Sequence, residues 1–495
     1  MRRPIRERGP MNAPVRILDW PGEGEDELGL ALWDAVALAR AMKGVAVGEF
    51  QASGVEIDSR DVVPGDLFFA LKGESMDGHR FIDMAFAKGA AAVVVDRPVS
   101  GPHVLVDDTS SALELLAKAS RERTRARIVG VTGSVGKTGV KEAIFAALDR
   151  SSRGNAHRSV KSYNNHVGVP LSLARMPARS KFGIFEMGMN HAGEIAALTA
   201  QVRPHVAVIT TIAPAHIEML GSMEAIADAK AEIFAGLEPG GTAVIPADSP
   251  HHDQLKVAAE ALGARVISFG SAANAQVRLL DAVPAPGGGS LVTADMGDRK
   301  LCYTVAEPGE HWIANSLAVM AAVRAAGGDL GAAGLALAEM QGMKGRGQRI
   351  ELAVQGGKAL LIDESYNANP ASMRATLAQL AVTPATRRIA VLGAMKELGE
   401  HGPAFHAELS GPVLAANVDQ AILVGDEMRP LAEELGKGAL TALGKPLSVA
   451  HCANAMEALE ALLGLGLASG DAVLVKGSNS VGLGALVAAL AQKKD

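Results

Sequence analysis

Ile128-Val129-Gly130-Val131-Thr132-Gly133-Ser134-Val135-Gly136-Lys137-Thr138 decides how this chain is read. An apolar run enters a glycine-flanked turn, and the turn enters a helical pattern in which Val140, Ile144, Phe145 and Leu148 share one face. Strand, glycine turn and helix start together aim backbone N–H groups at an anion. In such a loop Lys137 reaches the β- and γ-phosphates of a nucleotide and the Thr138 hydroxyl ligates Mg²⁺, while Thr132, Gly133, Ser134, Val135 and Gly136 form the cradle. The long form of this loop wants glycine at 131. Val131 stands there, so the match is to the shorter GxxGKT. An ordinary turn ahead of a helix is the plain alternative.

The chain around this stretch has 495 residues, too many for one hydrophobic core, and two to four domains are expected. Apolar residues are 48% and charged residues 21%, the balance of a soluble globular protein. A net charge of −6 argues against a nucleic-acid surface, and 3% aromatics argue against a base-stacking platform. Cys302 and Cys452 are too few for a disulfide framework or a cysteine metal cluster, which suits a reducing cytoplasm. No apolar run approaches the length of a membrane span. The opening Met1-Arg2-Arg3-Pro4-Ile5-Arg6-Glu7-Arg8 is basic but has no apolar signal core. Met11 is an alternative start, and the first residues are expected to be disordered.

Residues 15–125 read as a small mixed α/β domain. Strands are expected at 55–57, 67–71, 92–95 and 103–106, and a helix over 79–89. Ser111-Ala112-Leu113-Glu114 has the pattern of a capping box for a closing helix. Arg60, Lys72 and His79 lie in polar turns; each alone fits a solvated loop, and together they could hold a phosphorylated ligand.

Residues 126–343 form the central α/β domain. A strand over 182–185 ends at Glu186, where an acid can hold Mg²⁺ directly or through water; a capping or surface acid is the alternative. A second strand, 206–210, leads to a loop with His216. The helix expected over 223–237 carries Ile226, Ile233, Phe234 and Leu237 on one stripe, and Lys230 falls on that stripe. Its stem could lie on the core with the ammonium reaching solvent. A deprotonated amine could instead capture CO₂, and the carbamate could ligate a second Mg²⁺. Residues 271–305 read as an excursion of short strands. His311 and Asn315, four apart on a helix beginning near Trp312, could contact a base or ribose, or be a surface pair.

A basic, glycine-rich linker spans 342–349; its arginines could swing onto a phosphate when domains close. Residues 344–495 alternate strands (359–362, 389–392, 421–424, 472–475) with helices, as in a doubly wound, Rossmann-like parallel unit. No GxGxxG follows a strand, so dinucleotide binding is not indicated.

Taken together, several runs resemble the Mur ligase family. They are Asp58-Ser59-Arg60 with Gly65-Asp66-Leu67-Phe68, the loop 132–138, Asn164-Asn165-His166-Val167-Gly168-Val169-Pro170, and Glu186-Met187-Gly188-Met189-Asn190-His191-Ala192-Gly193-Glu194-Ile195. They continue through Ala229-Lys230-Ala231-Glu232-Ile233-Phe234, residues 363–370, Leu392-Gly393-Ala394-Met395-Lys396-Glu397-Leu398-Gly399 and Lys476-Gly477-Ser478. The resemblance spans residue 25 to the end. It implies a cytoplasmic, three-domain, ATP-dependent amide ligase of peptidoglycan synthesis. The first domain would bind a UDP-sugar, the P-loop domain ATP, and the third would close over both.

The Glu186–Ile195 run and Ser365-Tyr366-Asn367-Ala368-Asn369-Pro370 resemble the branch that adds D-Ala-D-Ala to UDP-N-acetylmuramoyl-tripeptide. By position, Thr138 and Glu186 resemble ligands of one Mg²⁺, and His216 with a carbamylated Lys230 those of a second. Lys137, His216 and Lys230 are the implied catalytic set. Asn315, Arg349 and the Asp363-Glu364 pair resemble nucleotide contacts, and His311, on the same helix face as Asn315, is expected beside them. Ser59, Arg60, Lys72, His79, Asn164 and Asn165 fall to the UDP-sugar. Glu364 stands where aspartate is usual and Ala394 where aspartate is common. A monomer is expected. The competing readings are another ligase of this family, a folylpolyglutamate-synthase-like ligase, or a P-loop NTPase regulator.

Overall fold

The computed structural model describes residues 31–73, 76–215, 217–286, 288–438 and 440–492. The expectations for the first residues, including the start at Met11, and the site role of His216 lie outside them. The chain divides into two compact units, one ending at Thr109 and the other beginning at Ser110. Among the described residues no helix is long and apolar enough to cross a membrane.

The first unit is built on five strands: β1 (Val45–Val47), β2 (Gly54–Glu56), β3 (Asp66–Phe69), β4 (Ala92–Val95) and β5 (His103–Leu105). Their order is β1-β5-β4-β3-β2, with β1 antiparallel at the edge and the rest parallel. β3 and β4 are buried along their whole length, as strands covered on both faces must be. Phe68, Val93 and Val95 pack there against Ile82 and Ala85. The mixed character expected from sequence is present. The expected helix over 79–89 is a 3₁₀ turn, Gly78–Phe81, followed by the short helix Ile82–Ala87.

The second unit contains two sheets. The larger has nine strands: β6 (Arg127–Thr132), β7 (Ala156–Arg158), β8 (Phe182–Glu186), β9 (Val206–Ile209), β10 (Thr242–Pro246), β11 (Arg265–Gly270), β12 (Val277–Pro284), β13 (Ser290–Asp295) and β14 (Lys300–Val305). Their order is β14-β13-β12-β11-β10-β9-β6-β8-β7. Strands β7 to β12 run parallel about β6, and β12, β13 and β14 form an antiparallel meander at the far edge. The residues read as an excursion therefore extend this sheet. Helices α1 (Lys137–Ser152) and α2 (Glu310–Ala326) cover one face. From β6 the chain builds β7 and β8 on one side, then β9 onward on the other. The crevice at the C-terminal end of β6 is thus a topological switch point, where open α/β sheets bind ligands.

The second sheet comprises β15 (Gln348–Val354), β16 (Gly357–Glu364), β17 (Arg387–Gly393), β18 (Gln420–Val424), β19 (Ser448–Cys452) and β20 (Asp471–Lys476), in the order β15-β16-β20-β17-β18-β19. All pairs but β15–β16 are parallel. The edge strands β15 and β19 were not read from sequence. Both are largely open to solvent, so neither has the continuous apolar run that marked the inner strands. The linker is also shorter than expected, because Gln348 and Arg349 already pair in β15.

Two further readings are corrected. The closing helix begins at Thr109, so Ser111 lies inside its first turn rather than ahead of it. Thr109 instead donates through Oγ1 to the Ala70 carbonyl (3.2 Å). The helix expected over 223–237 is α-helical only over Met223–Ala231 and tightens to a 3₁₀ turn over Glu232–Gly236. Gly236 explains the tightening: a Cβ there would lie 2.3 Å from the Thr199 carbonyl, so this turn is pressed against its neighbour.

Candidate active site

The phosphate-loop stretch folds as its residue types dictate. β6 is buried from Ile128 onward and ends at the turn 133–136, from which α1 starts. Gly133 has φ +147°, and a Cβ on it would fall 2.0 Å from Thr210 Oγ1, so only glycine fits. Thr210 Oγ1 donates to the Val135 carbonyl (2.5 Å), and Ser134 Oγ to that of Ala213 (2.9 Å). The loop is thereby tied to the end of β9. Gly136, at φ +85°, lies under Asn315, whose amide would be 3.1 Å from a Cβ there. Lys137 Nζ donates back to the Gly133 carbonyl (2.8 Å). Thr132 Oγ1 is buried at the base of the loop and has no hydrogen-bond partner.

Charged groups converge on this loop. Thr138 Oγ1 donates to Glu186 Oε2 and Asn164 Nδ2 to Oε1, each at 2.8 Å. Glu186 is 1% exposed. The loop bearing Asn164 is held by the buried Lys141, which donates to the Ser159 and Lys161 carbonyls at 2.7 and 3.1 Å. Lys230 is also buried, and burial, reinforced by the Lys137 charge, pushes its ammonium well below the usual lysine range. Burial lowers Lys137 too; Glu186 and Glu397 oppose that shift and Arg346 adds to it. Lys137 and Arg346 therefore border a backbone anion cradle, with the buried Lys230 amine near enough to feel the Lys137 charge, an arrangement that suits a polyphosphate.

The other side of the crevice is the hinge to the second sheet. Arg346 stacks on Tyr366, its Cζ 4.3 Å from the ring centre, and donates to Ser162 Oγ at 3.1 Å. Arg349 donates to Thr383 Oγ1 at 3.2 Å. Asp363 is 1% exposed and accepts from the Gly345 N–H (2.8 Å) and Ser365 Oγ (2.6 Å), so it clamps the linker. Glu364 faces Lys476 (3.4 Å), which also donates to the Asn367 carbonyl (2.9 Å). Burial, with the Lys476 charge, lowers His311 to about 4, so its ring is neutral at pH 7.

Comparison with known proteins places this architecture. Family models match residues 51–124 (Mur ligase family, catalytic domain), 131–323 (Mur ligase middle domain) and 345–479 (Mur ligase, glutamate ligase domain). A UDP-N-acetylmuramoyl-tripeptide–D-alanyl-D-alanine ligase of Synechocystis sp. is 38% identical over 451 residues, covering 89% of this chain and 92% of the relative. This chain belongs to the Mur ligase family. Among solved structures, MurF from Acinetobacter baumannii superposes with TM-score 0.79 at 29% identity, covering 93% of this chain and 99% of that one. MurF from Thermotoga maritima in complex with ADP gives 0.70 at 26%, covering 89% and 97%. The three-domain α/β architecture of a Mur ligase is thus the fold of this chain.

Within this Mur ligase, the first unit groups Lys72 and His79 around Asp96. Lys72 pairs with Asp96, and the buried His79 ring lies 2.7 Å from Asp77 and 3.2 Å from Asp96. Arg60 is exposed and pairs instead with Asp58. Ser59 is buried, its Oγ donating to Met84 Sδ (3.3 Å). In the second unit Asn165 accepts the Gly168 N–H (2.9 Å) and starts the helix Gly168–Ala174.

The oxygen donors Thr138 Oγ1 and Glu186 suit Mg²⁺, a hard cation that takes its remaining ligands from phosphate and water. Among the described residues no three His, Cys, Asp or Glu side chains gather as a complete metal site. Sequence reasoning gave the linker's arginines a phosphate role but carried only Arg349 into the nucleotide contacts, and it missed Lys141, whose lysine spacing looked like any helix surface. It also quoted the run containing Glu397 without giving that residue a role.

Proposed function

We propose that this Mur ligase joins D-Ala-D-Ala to the terminal carboxylate of UDP-N-acetylmuramoyl-tripeptide, with ATP hydrolysed to ADP, in the cytoplasmic stage of peptidoglycan synthesis. What carries this is identity to ligases of that name over nearly their whole length, in a chain whose cation-lined P-loop is intact. The domains are 15–125 for the UDP-sugar, 126–343 for ATP and 344–495 for closure.

The chemistry follows from the groups present. A carboxylate is a poor electrophile, so the tripeptide carboxylate first attacks the γ-phosphorus, forming an acyl phosphate and releasing ADP. Lys137 and Arg346 offset charge that spreads over the phosphoryl oxygens, and the loop N–H groups hold the β-phosphate. Thr138 and Glu186 would hold one Mg²⁺, and His216 with carbamylated Lys230 a second; these ions supply further charge neutralisation. Asn315, His311, Arg349 and the Asp363-Glu364 pair border the nucleoside end. The dipeptide amine, having shed its ammonium proton, then attacks the acyl carbon; the C–N bond replaces the C–O bond to phosphate, phosphate leaves and the nitrogen gives up a second proton. Closure of the third domain excludes the water that would hydrolyse the acyl phosphate.

The test is ADP release with the UDP-muramoyl-tripeptide, with and without D-Ala-D-Ala, and mass analysis of the product. Release that needs both substrates and a pentapeptide product is expected. ATP hydrolysis without coupling to either substrate would leave the phosphate site standing and remove the substrate assignment.

A further inference from the structure

Residues 159–164, between β7 and the helix Gly168–Ala174, lie in neither helix nor strand, so their shape depends on what ties them down. The segment meets β8 at both ends. The Ser159 N–H donates to the Ile184 carbonyl at 3.0 Å, and Ser159 Oγ accepts the Glu186 N–H at 3.2 Å. Five residues on, Asn164 donates to Glu186 Oε1 and accepts the Gly188 N–H on its carbonyl, each at 2.8 Å. A Cβ on Gly188 would lie 2.9 Å from Asn164 Cγ, so glycine there lets the amide reach the carboxylate. Between the two ends, Ser162 Oγ accepts from Arg346 at 3.1 Å. The backbone and the carboxylate of Glu186, and the hinge arginine, thus all contact one irregular segment.

Lys141, four residues after Lys137 on α1, holds that segment from beneath. It is 0% exposed, and its Nζ donates to the Ser159 carbonyl at 2.7 Å and the Lys161 carbonyl at 3.1 Å. It also pairs with Glu142 at 2.8 Å, and Glu142 reaches Arg158, the last residue of β7, at 2.8 Å. Lys161 takes φ +53° although it ends no helix, a left-handed conformation that costs a residue with a side chain. The carbonyl of this strained turn is one of the two that Lys141 binds. Burying an amine costs far more than burying an apolar chain of the same length, and here its hydrogen bonds go to the main chain of residues 159–161. The phosphate cradle is tied separately, to the end of β9, through Thr210 and Ser134.

Resting on the phosphoryl transfer proposed above, we infer that Lys141 is a positioning residue for that step: by holding residues 159–164 it fixes the Glu186 carboxylate beside Thr138 and sets Ser162 to receive Arg346. It acts on the acid and the hinge and leaves the β-phosphate cradle as it is.

The experiment uses the full chain and measures binding of β,γ-methylene-ATP by calorimetry, with EDTA and with excess Mg²⁺. Lys141→Met keeps the stem and removes Nζ. It leaves the metal-free dissociation constant as in the wild type and lowers the gain in affinity from Mg²⁺ by roughly tenfold or more, as loss of a group that orients a metal-side carboxylate does. In turnover, kcat falls by a similar factor and the KM for D-Ala-D-Ala is unchanged. Asn164→Ala shows the same loss of Mg²⁺ gain, and the double variant loses no more than the worse single one, because both act through one carboxylate. Lys141→Gln, which keeps a donor on a shorter chain, retains part of the gain, and it carries the test if thermal midpoints show that Lys141→Met does not fold. An unchanged Mg²⁺ gain in a folded variant overturns the inference. So does an equal loss with and without Mg²⁺, or losses that add in the double variant; either reduces Lys141 to general support of the sheet. The binding readouts need neither the UDP-sugar nor the dipeptide. A wild type that binds the nucleotide with Mg²⁺ but couples ATP to neither substrate therefore removes the substrate assignment alone. A wild type whose nucleotide affinity gains nothing from Mg²⁺ overturns the phosphoryl-transfer reading and this inference together.

Discussion

Gly133 and Lys230 are two residues whose chemistry is forced by what surrounds them. At Gly133 both the backbone angle and the 2.0 Å approach to Thr210 exclude a side chain. Gly133→Ala should cost roughly 2 kcal/mol or more, from left-handed strain plus displacement of Thr210. It should also weaken nucleotide binding; thermal midpoints with and without ATP would check both. At Lys230, burial and the Lys137 charge disfavour the charged amine, and the uncharged form is the one that can capture CO₂. Lys230→Ala should lower turnover by roughly a hundredfold or more, as loss of a ligand to an activating ion does. Added bicarbonate should not restore it, and circular dichroism should match the wild type. Full activity in that variant would remove the carbamate. The sequence exposed Lys230 through its place on an apolar stripe. It could not expose Thr132 as an orphaned hydroxyl, because that depends on every neighbour in space.

At the scale of elements, the hinge between the nine-stranded sheet and β15–β16 is an electrostatic joint. Glu307 precedes α2 and is 9% exposed, and burial raises its carboxyl to about 7; Arg349 opposes that shift and Glu364 adds to it. The sign follows from proton counting. Between 4.5 and about 7 the folded chain keeps a proton that the unfolded chain has released, so this contribution is full below 4.5 and is lost as pH rises through 7. About 3 kcal/mol is at stake on that scale. Glu307→Gln should flatten the dependence, gaining on the wild type in thermal midpoint between pH 5 and pH 8. Parallel midpoint curves for the two proteins would show that Glu307 ionises freely. Nothing in the local pattern around Glu307 signalled this, since its neighbours come from residues about 40 and 60 positions later in the chain, brought together only by the β15–β16 pairing.

Over the whole molecule, Arg346 links the two sheets of the second unit, with Tyr366 on one side and Ser162 on the other. Arg346→Ala should therefore lower kcat and raise the KM for ATP by roughly tenfold or more, with a smaller effect from Arg349→Ala, whose guanidinium is engaged by Thr383. Steady-state kinetics on both variants would reverse this ranking if the hinge worked through Arg349. The sequence by itself determined the α/β class, the P-loop with its Lys137 and Thr138, the inner strands and the family, because these rest on short-range patterns: apolar runs, glycine turns and fixed motif spacing. Tertiary structure alone decided the exposed edge strands β15 and β19, the clamp role of Asp363, the meeting of Asn164 with Glu186, and the approach of Arg346 and Glu397 to Lys137. Those contacts join residues far apart in the chain. Their energies come from burial and charge in the folded state, which no local stretch of sequence contains.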